Sequence, residues 1–246
     1  MTIGVPATPG MSDFQTWVGK KLSIGEGLAT GVLGGTYSDA VLILGPLISS
    51  LAAMVWPGLG IDKARFIEAC VNLADRDLAL DRVSVPLLIQ HLEDTGRNAE
   101  ATALRGTNTA FTFAQASLVI CGDDVDLAPD EVARVVPILT MKEIRAHAHA
   151  TVFYEEVRSS LTHEYQLARR VGSHAMAESA VGVSYVNLLE GSGPFGVDPP
   201  ITERRMIHFP IPLLAAIARS VSTAVEPLFE KSLTRPVPPV WWVNGG

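Results

Sequence analysis

The residues best equipped for chemistry lie close together in this chain: Arg158, Ser159, His163 and Tyr165, all within the nine residues from Val157 to Tyr165. An imidazole titrates near neutrality when unperturbed, so His163 can exchange protons at physiological pH. Arg158 is always charged and offers a planar fork of donors that matches phosphate oxygens. The Ser159 hydroxyl and the Tyr165 phenol add further hydrogen-bonding groups. An element must hold these side chains together, and the sequence points to a helix. The run from Met141 to Val171 has neither proline nor glycine, and Ile144, Ala148, Val152, Val157, Leu161 and Leu167 give an approximate helical apolar stripe. At about 100° per residue, Ser159 and His163 share one face as i,i+4 neighbours, while Arg158 and Tyr165 lie on an adjacent stripe. The long Arg158 side chain is expected to reach around to His163.

Arginine, four residues, histidine, one residue, tyrosine: this spacing after an apolar run resembles the signature of the HEPN superfamily, helical-bundle proteins that include RNases of toxin pairs, antiviral systems and RNA processing. The resemblance implies a mostly α-helical bundle and a homodimer in which Arg158 and His163 face their counterparts and cut RNA without a metal. In that family the residue after the arginine is commonly Asn, Asp or His; here it is Ser159. Tyr165 matches the longer motif of HEPN toxins paired with nucleotidyltransferase antitoxins, where the tyrosine is the nucleotidylated residue. The resemblance therefore also implies a nucleotidyltransferase antitoxin as partner and a toxin or phage-defence role. It covers this helix; the run from Tyr37 to Glu68 is more loosely similar to the first two helices of larger HEPN-like proteins. Arg169 and His174 repeat the Arg-to-His spacing, but Met176 stands where the tyrosine would be and Gly172 intervenes as a helix end.

Metal-free RNA cleavage requires a base for the 2′-hydroxyl, an acid for the leaving 5′-oxygen and donors for the charge on the phosphorus oxygens. Arg158 and His163 supply two of these, and a second protomer would supply the missing acid or base. Ser159 would orient His163 or contact phosphate, and Tyr165 would donate to phosphate or be the regulated residue. The competing reading has Arg158 paired with Glu155 or Glu156, His163 packed against a neighbouring helix and Tyr165 a half-buried aromatic. A site mouth lined by Glu155, Glu156 and Glu164, with Arg158 buried in an ion pair, would favour a catalytically inert dimerisation or RNA-binding protein. His147 and His149 lie two residues apart, which on a helix places them on nearly opposite sides, so no metal site is expected there. No cofactor is expected either.

Composition sets outer bounds. The formal charge of −7 argues against a general nucleic-acid binder and against DNA as a partner, since such surfaces are basic. Between Lys142 and His174, five Lys and Arg face four Asp and Glu, with four histidines, so any RNA contact is expected to be local and transient. Two cysteines and no apolar leader point to a reducing cytoplasm. The uncharged stretch Ala40 to Ile61 is long enough to span a membrane, but Pro46 and Trp56-Pro57-Gly58 favour a buried helix.

Taken in order, Ser12 or Asp13 caps a short first helix, and the glycines from Gly25 to Gly35 read as a flexible connection. A helix from Tyr37 or Ser38 to Trp56 follows, capped by Ser38 or Asp39. Asp62 caps the next, Lys63 to Leu73, and Ser84 with Pro86 opens another. Residues 95–108 read as an exposed loop, 111–121 as an undecided apolar segment, and Asp123, Asp124 and Asp126 as a solvated turn. Val183 to Leu188 alternates like a strand, with Arg205 to Pro210 as its partner. A last helix starts at Pro212. The expectation is one helical domain over residues 1–246, mostly α with a small β-hairpin, with residues 1–11 and 235–246 as loosely ordered or docked tails.

Overall fold

A computed structural model describes residues 12–108, 120–172, 182–190 and 202–230. Both proposed tails and most of the undecided apolar segment lie outside this range. The architecture is mostly α-helical with a small antiparallel sheet, as the sequence implied.

Helix α1 runs Asp13–Ala29, with the Ser12 hydroxyl accepting from the Gln15 amide at 3.1 Å. Gly25 and Gly27 therefore sit inside a helix rather than in a flexible connection. Gly25 faces α2, Tyr37–Val55, so closely that a Cβ there would lie 2.8 Å from Leu44 side-chain carbons. Close helix approach, not backbone freedom, is what this glycine serves. The cap of α2 is Thr36, two positions before the expected Ser38, in a reciprocal capping box with Asp39. Along α2, Ala40, Val41, Leu44, Leu47, Ile48, Leu51 and Val55 are all buried, against α1 and the last helix, α11, Ile211–Glu230. Ser12 and Gln15 both donate to the Glu226 carboxylate, at 2.9 and 2.7 Å, which fastens the start of α1 to the end of α11. Among the described residues, α2 and α11 are long and apolar enough to cross a membrane, and much of each is buried within the bundle.

The remaining elements build outward from α2. Helix α3, Asp62–Glu68, widens into a π-helical turn at Ala69–Leu73. After a 3-10 turn at Arg76–Leu78 comes α4, Val85–Asp94, capped by Ser84 as expected. Residues 98–105 form α5, Asn98–Arg105, where an exposed loop was expected; burial of Ala101 and Leu104 gives this polar stretch its anchoring face. Short pieces follow: strand β1 at Ile120–Cys121, then α6 Gly122–Val125, α7 Pro129–Val135 and α8 Met141–Arg145.

The long uninterrupted helix expected from Met141 onward is broken. Backbone groups at 147–150 pair instead with residues 80–84: Ser84 N–H donates to His147 O at 2.8 Å, His149 N–H to Arg82 O at 2.9 Å and Ala150 N–H to Leu80 O at 3.0 Å. Ala148 takes an extended conformation, and the chain restarts as α9, His149–Val152. It continues through a π-helical segment, Phe153–Ser159, into α10, Ser160–Glu164. No proline or glycine marks the break, because the cause is pairing with a segment more than sixty residues earlier. Strands β2, Ser184–Glu190, and β3, Thr202–His208, pair antiparallel with Tyr185 opposite Ile207, and β1 flanks β2. Val171 lies parallel to Ile207, so the chain leaving α10 is anchored at the sheet.

The two glycines of α1 give opposite expectations. Gly19 has open space where a Cβ would go, so Gly19→Ala should stabilise by up to about 1 kcal/mol through helix propensity. Gly25→Ala gains the same propensity but pushes into Leu44, an overpacking cost of about 1 to 3 kcal/mol, so its urea midpoint should fall. A second expectation concerns pH. His147 stacks on His91 with ring centroids 5.0 Å apart, and burial pushes its pKa down to about 4. The unfolded chain binds this proton below about 6.5, whereas the folded chain resists it until near 4. Stability is thus full above pH 6.5 and falls toward pH 4, by on the order of 3 kcal/mol for this group. His208, also lowered by burial, acts in the same direction, while Glu156, raised by burial, offsets part of it. Urea titrations between pH 7.5 and 4.5 should show this slope, and His147→Gln should flatten it.

Candidate functional site

The four chemistry-bearing residues sit where the π-helical segment passes into α10. Phe153, Glu156, Val157 and Leu161 are buried, and the aromatic series Phe209, Phe153, Phe66 and Tyr154 packs in successive contacts of 5.2 to 5.7 Å beneath them. A π-turn shifts the side chains after it around the helix axis, and such turns are frequent at functional sites.

Arg158 turns inward. Its Nη2 donates to Asp62 Oδ2 at 3.0 Å, its guanidinium carbon lies 5.2 Å from the Tyr154 ring centroid, and its side chain is 13% exposed. Gly45 makes room for its stem: a Cβ there would stand 3.2 Å from Arg158 Cγ. Asp62 is shared, for Arg65 donates to its other oxygen and anchors itself on Gly58 O at 3.0 Å. The role expected of Asp62, capping α3, gives way to that of a counterion for two arginines. Nε of Arg158 and Nε of Arg65 are buried without hydrogen-bond partners. Burial raises the Tyr154 phenol pKa, with Arg158 opposing, so the ring under the guanidinium stays neutral.

His163 is exposed on α10, and no hydrogen bond or ion pair joins it to Arg158 among the described residues. The expected reach from Arg158 to His163 is thus replaced by the reach to Asp62. Ser159 is half-buried at the end of the π segment, and Thr162 Oγ1 donates to Arg158 O at 2.6 Å, which secures the turn between them. Tyr165 ends the helix in a left-handed conformation, φ 55°, with its side chain in solvent at 80% exposure. Neither a packed His163 nor a half-buried Tyr165, the features of the competing reading, is present. Its third feature, Arg158 paired with Glu155 or Glu156, is replaced by an ion pair with Asp62.

The acidic neighbours are mostly engaged. Glu155 pairs with Lys63, and Glu156 is buried against Arg170, whose Nε donates at 3.2 Å. Glu156 therefore does not line the surface, whereas Glu155 and Glu164 are exposed. Lys63, Arg65, Arg158 and Arg170 balance Asp62, Glu155, Glu156 and Glu164, so one protomer presents no strongly basic surface here.

Beyond this site the sequence concealed a buried network. Asp126, read as part of a solvated turn, is enclosed: Oδ2 accepts from the Tyr185 hydroxyl at 2.6 Å and meets His149 Nε2 at 2.8 Å, and Oδ1 accepts from the Val85 amide at 3.1 Å. His147 instead shares its ring Nδ1 with Glu143 O at 3.1 Å. The two histidines thus belong to separate environments, both buried, and among the described residues no group of three or more His, Cys, Asp or Glu is arranged to hold a metal. The aspartate cluster was visible in the sequence, but nothing local marked its third member as the buried one.

Compared with protein-family models, curated proteins and solved structures, the chain matches none.

Tyr165 carries backbone strain that a glycine would not. Tyr165→Gly should therefore raise the urea midpoint, by up to about 1 kcal/mol, while deleting the phenol. Loss of stability instead would show that the exposed ring contributes packing.

Proposed function

We propose that this chain is a HEPN-type ribonuclease acting as a homodimer, with Arg158 and His163 catalytic and Ser159 and Tyr165 accessory or regulatory. The observation that carries the reading is the exposure of His163 and Tyr165 at the end of the helix that bears Arg158. One protomer offers a single imidazole at this surface and an arginine held by a carboxylate, which is half of what phosphodiester cleavage requires. A second copy of α10 brought against the first supplies the other imidazole as the missing acid or base and a second Arg158. No metal or cofactor enters the scheme. RNA is the substrate, since the 2′-hydroxyl is the nucleophile available to a metal-free imidazole mechanism. The exposed phenol of Tyr165 is open to nucleotidylation, which supports a nucleotidyltransferase antitoxin as partner and a toxin or defence role in the cytoplasm.

The second reading is an inert HEPN-like dimerisation or RNA-binding protein. One observation favours it: Arg158 is largely buried and already paired with Asp62.

The two readings separate in one set of assays. The active reading requires that the purified protein sediments as a dimer and cleaves RNA in EDTA, leaving 2′,3′-cyclic phosphate ends. His163→Ala should remove cleavage and leave the dimer intact. Asp62→Asn should weaken the hold on Arg158 and raise cleavage several-fold. A dimer that leaves RNA intact in both the wild-type and Asp62→Asn forms establishes the inert reading.

A further inference from the structure

Away from α10, a cavity of about 110 Å³ is lined by Asp77, Leu78, Ala79, Gly122, Asp123, His149, Gly182 and Val183. Four features set it apart from an ordinary surface dent. His149 lines it while only 4% exposed, and its Nε2 is committed to Asp126. Asp126 already accepts from the Tyr185 hydroxyl and the Val85 amide, so both of its oxygens are engaged. That partner places a ring proton on Nε2, as in carboxylate–histidine pairs that fix a tautomer, and leaves Nδ1 as the ring's free nitrogen. Nδ1 has no hydrogen-bond partner among the described residues.

The wall is built to keep this geometry. A Cβ on Gly122 would stand 2.7 Å from Asp126 Oδ2, so only glycine lets the loop close over the carboxylate. Ala79 adopts the left-handed conformation, φ 51°, a strained state for a residue with a side chain and one that tends to mark functional walls. At the mouth, Asp77 and Asp123 are exposed, and among the described residues no hydrogen bond or ion pair engages either carboxylate. Arg82 spends Nη1 on the backbone oxygens of Asp123 and Asp126, at 3.5 and 3.3 Å, and Arg76 precedes Asp77 in the 3-10 turn.

We propose that this cavity binds a small N–H cation, a primary ammonium or guanidinium group, with His149 Nδ1 accepting a hydrogen bond and Asp77 and Asp123 supplying the charge. Two free carboxylates at the mouth select a positive ligand, and an unpartnered imidazole acceptor selects one that carries N–H donors. The volume admits roughly three or four waters, hence a head group of a few heavy atoms. A bare metal ion fits less well, because the groups present do not form a metal-ligand set. This inference is independent of the ribonuclease reading, since none of its residues belongs to the α10 site.

The test uses the full chain with ¹⁵N-labelled histidine, whose six imidazoles are resolved by NMR and whose His149 signals are assigned by difference with His149→Gln. Methylammonium chloride and guanidinium chloride are titrated at constant ionic strength, against urea and tetramethylammonium chloride as neutral and donor-free controls. The expected result is a saturable shift of the His149 Nδ1 signal with the first two probes only, with half-saturation in the millimolar range set by so small a ligand. Asp77→Asn with Asp123→Asn, both surface changes, should weaken it about tenfold. A shift that tetramethylammonium reproduces, that all six histidines share, or that does not saturate by about 50 mM overturns the proposal.

Discussion

The carboxylate of Asp62 is the constraint on which the site depends. It joins α3 to the π-helical segment by accepting from Arg158 and Arg65 together, and it decides that the arginine of the motif points inward. An ion pair whose partners are 13% and 37% exposed is partly screened by solvent and contributes on the order of 1 kcal/mol or less. That is small beside what a bidentate phosphate contact offers an arginine. The pair is strong enough to orient the guanidinium in the free protein and weak enough for an RNA phosphate to displace. The same geometry therefore serves either reading of the site, and the distinction lies in whether a phosphate reaches Arg158.

The scaffold around this pair is stiff. Aromatic rings from α3, the π segment and the chain before α11 stack beneath it, and Gly45 of α2 closes on the stem of Arg158. Past Tyr165 the chain is fixed again, by Glu156 with Arg170 and by the pairing of Val171 with Ile207. His163 and Tyr165 are thus presented from a clamped turn, with their side chains free. Such a division, a rigid base and exposed reactive groups, suits a surface that is completed by another molecule.

Much of the fold was legible from sequence. The start of α1 at Ser12, the buried α2, the Ser84 cap, the hairpin of β2 with β3 and the terminal helix all follow from local periodicity and capping chemistry. What escaped was set by distant contacts. The break after Arg145 arises because residues 80–84 take the backbone hydrogen bonds of 147–150. Gly25 and Gly27 looked like linker residues because nothing in their neighbourhood reveals that Leu44 presses on one of them. At the site, sequence reasoning put Arg158, His163 and Tyr165 on one helix but ran that helix to Val171, whereas it ends at Glu164 with Tyr165 as its left-handed cap. The partner of Arg158 was out of reach, since Asp62 lies 96 residues away. Asp126 was misjudged for the same reason: its burial is the work of Tyr185 and Val85, not of its acidic neighbours.

The central claim is that the reactive groups of two protomers complete one site, and mixing wild-type with inactive protomers tests it most directly. Wild-type and His163→Ala proteins are exchanged in varying proportions under mild denaturant and returned to native buffer. A heterodimer carries one imidazole where the proposed cleavage uses two, so cleavage should fall as the square of the wild-type fraction. Cleavage that falls only in proportion to the wild-type fraction, with heterodimers shown to have formed, would contradict the account.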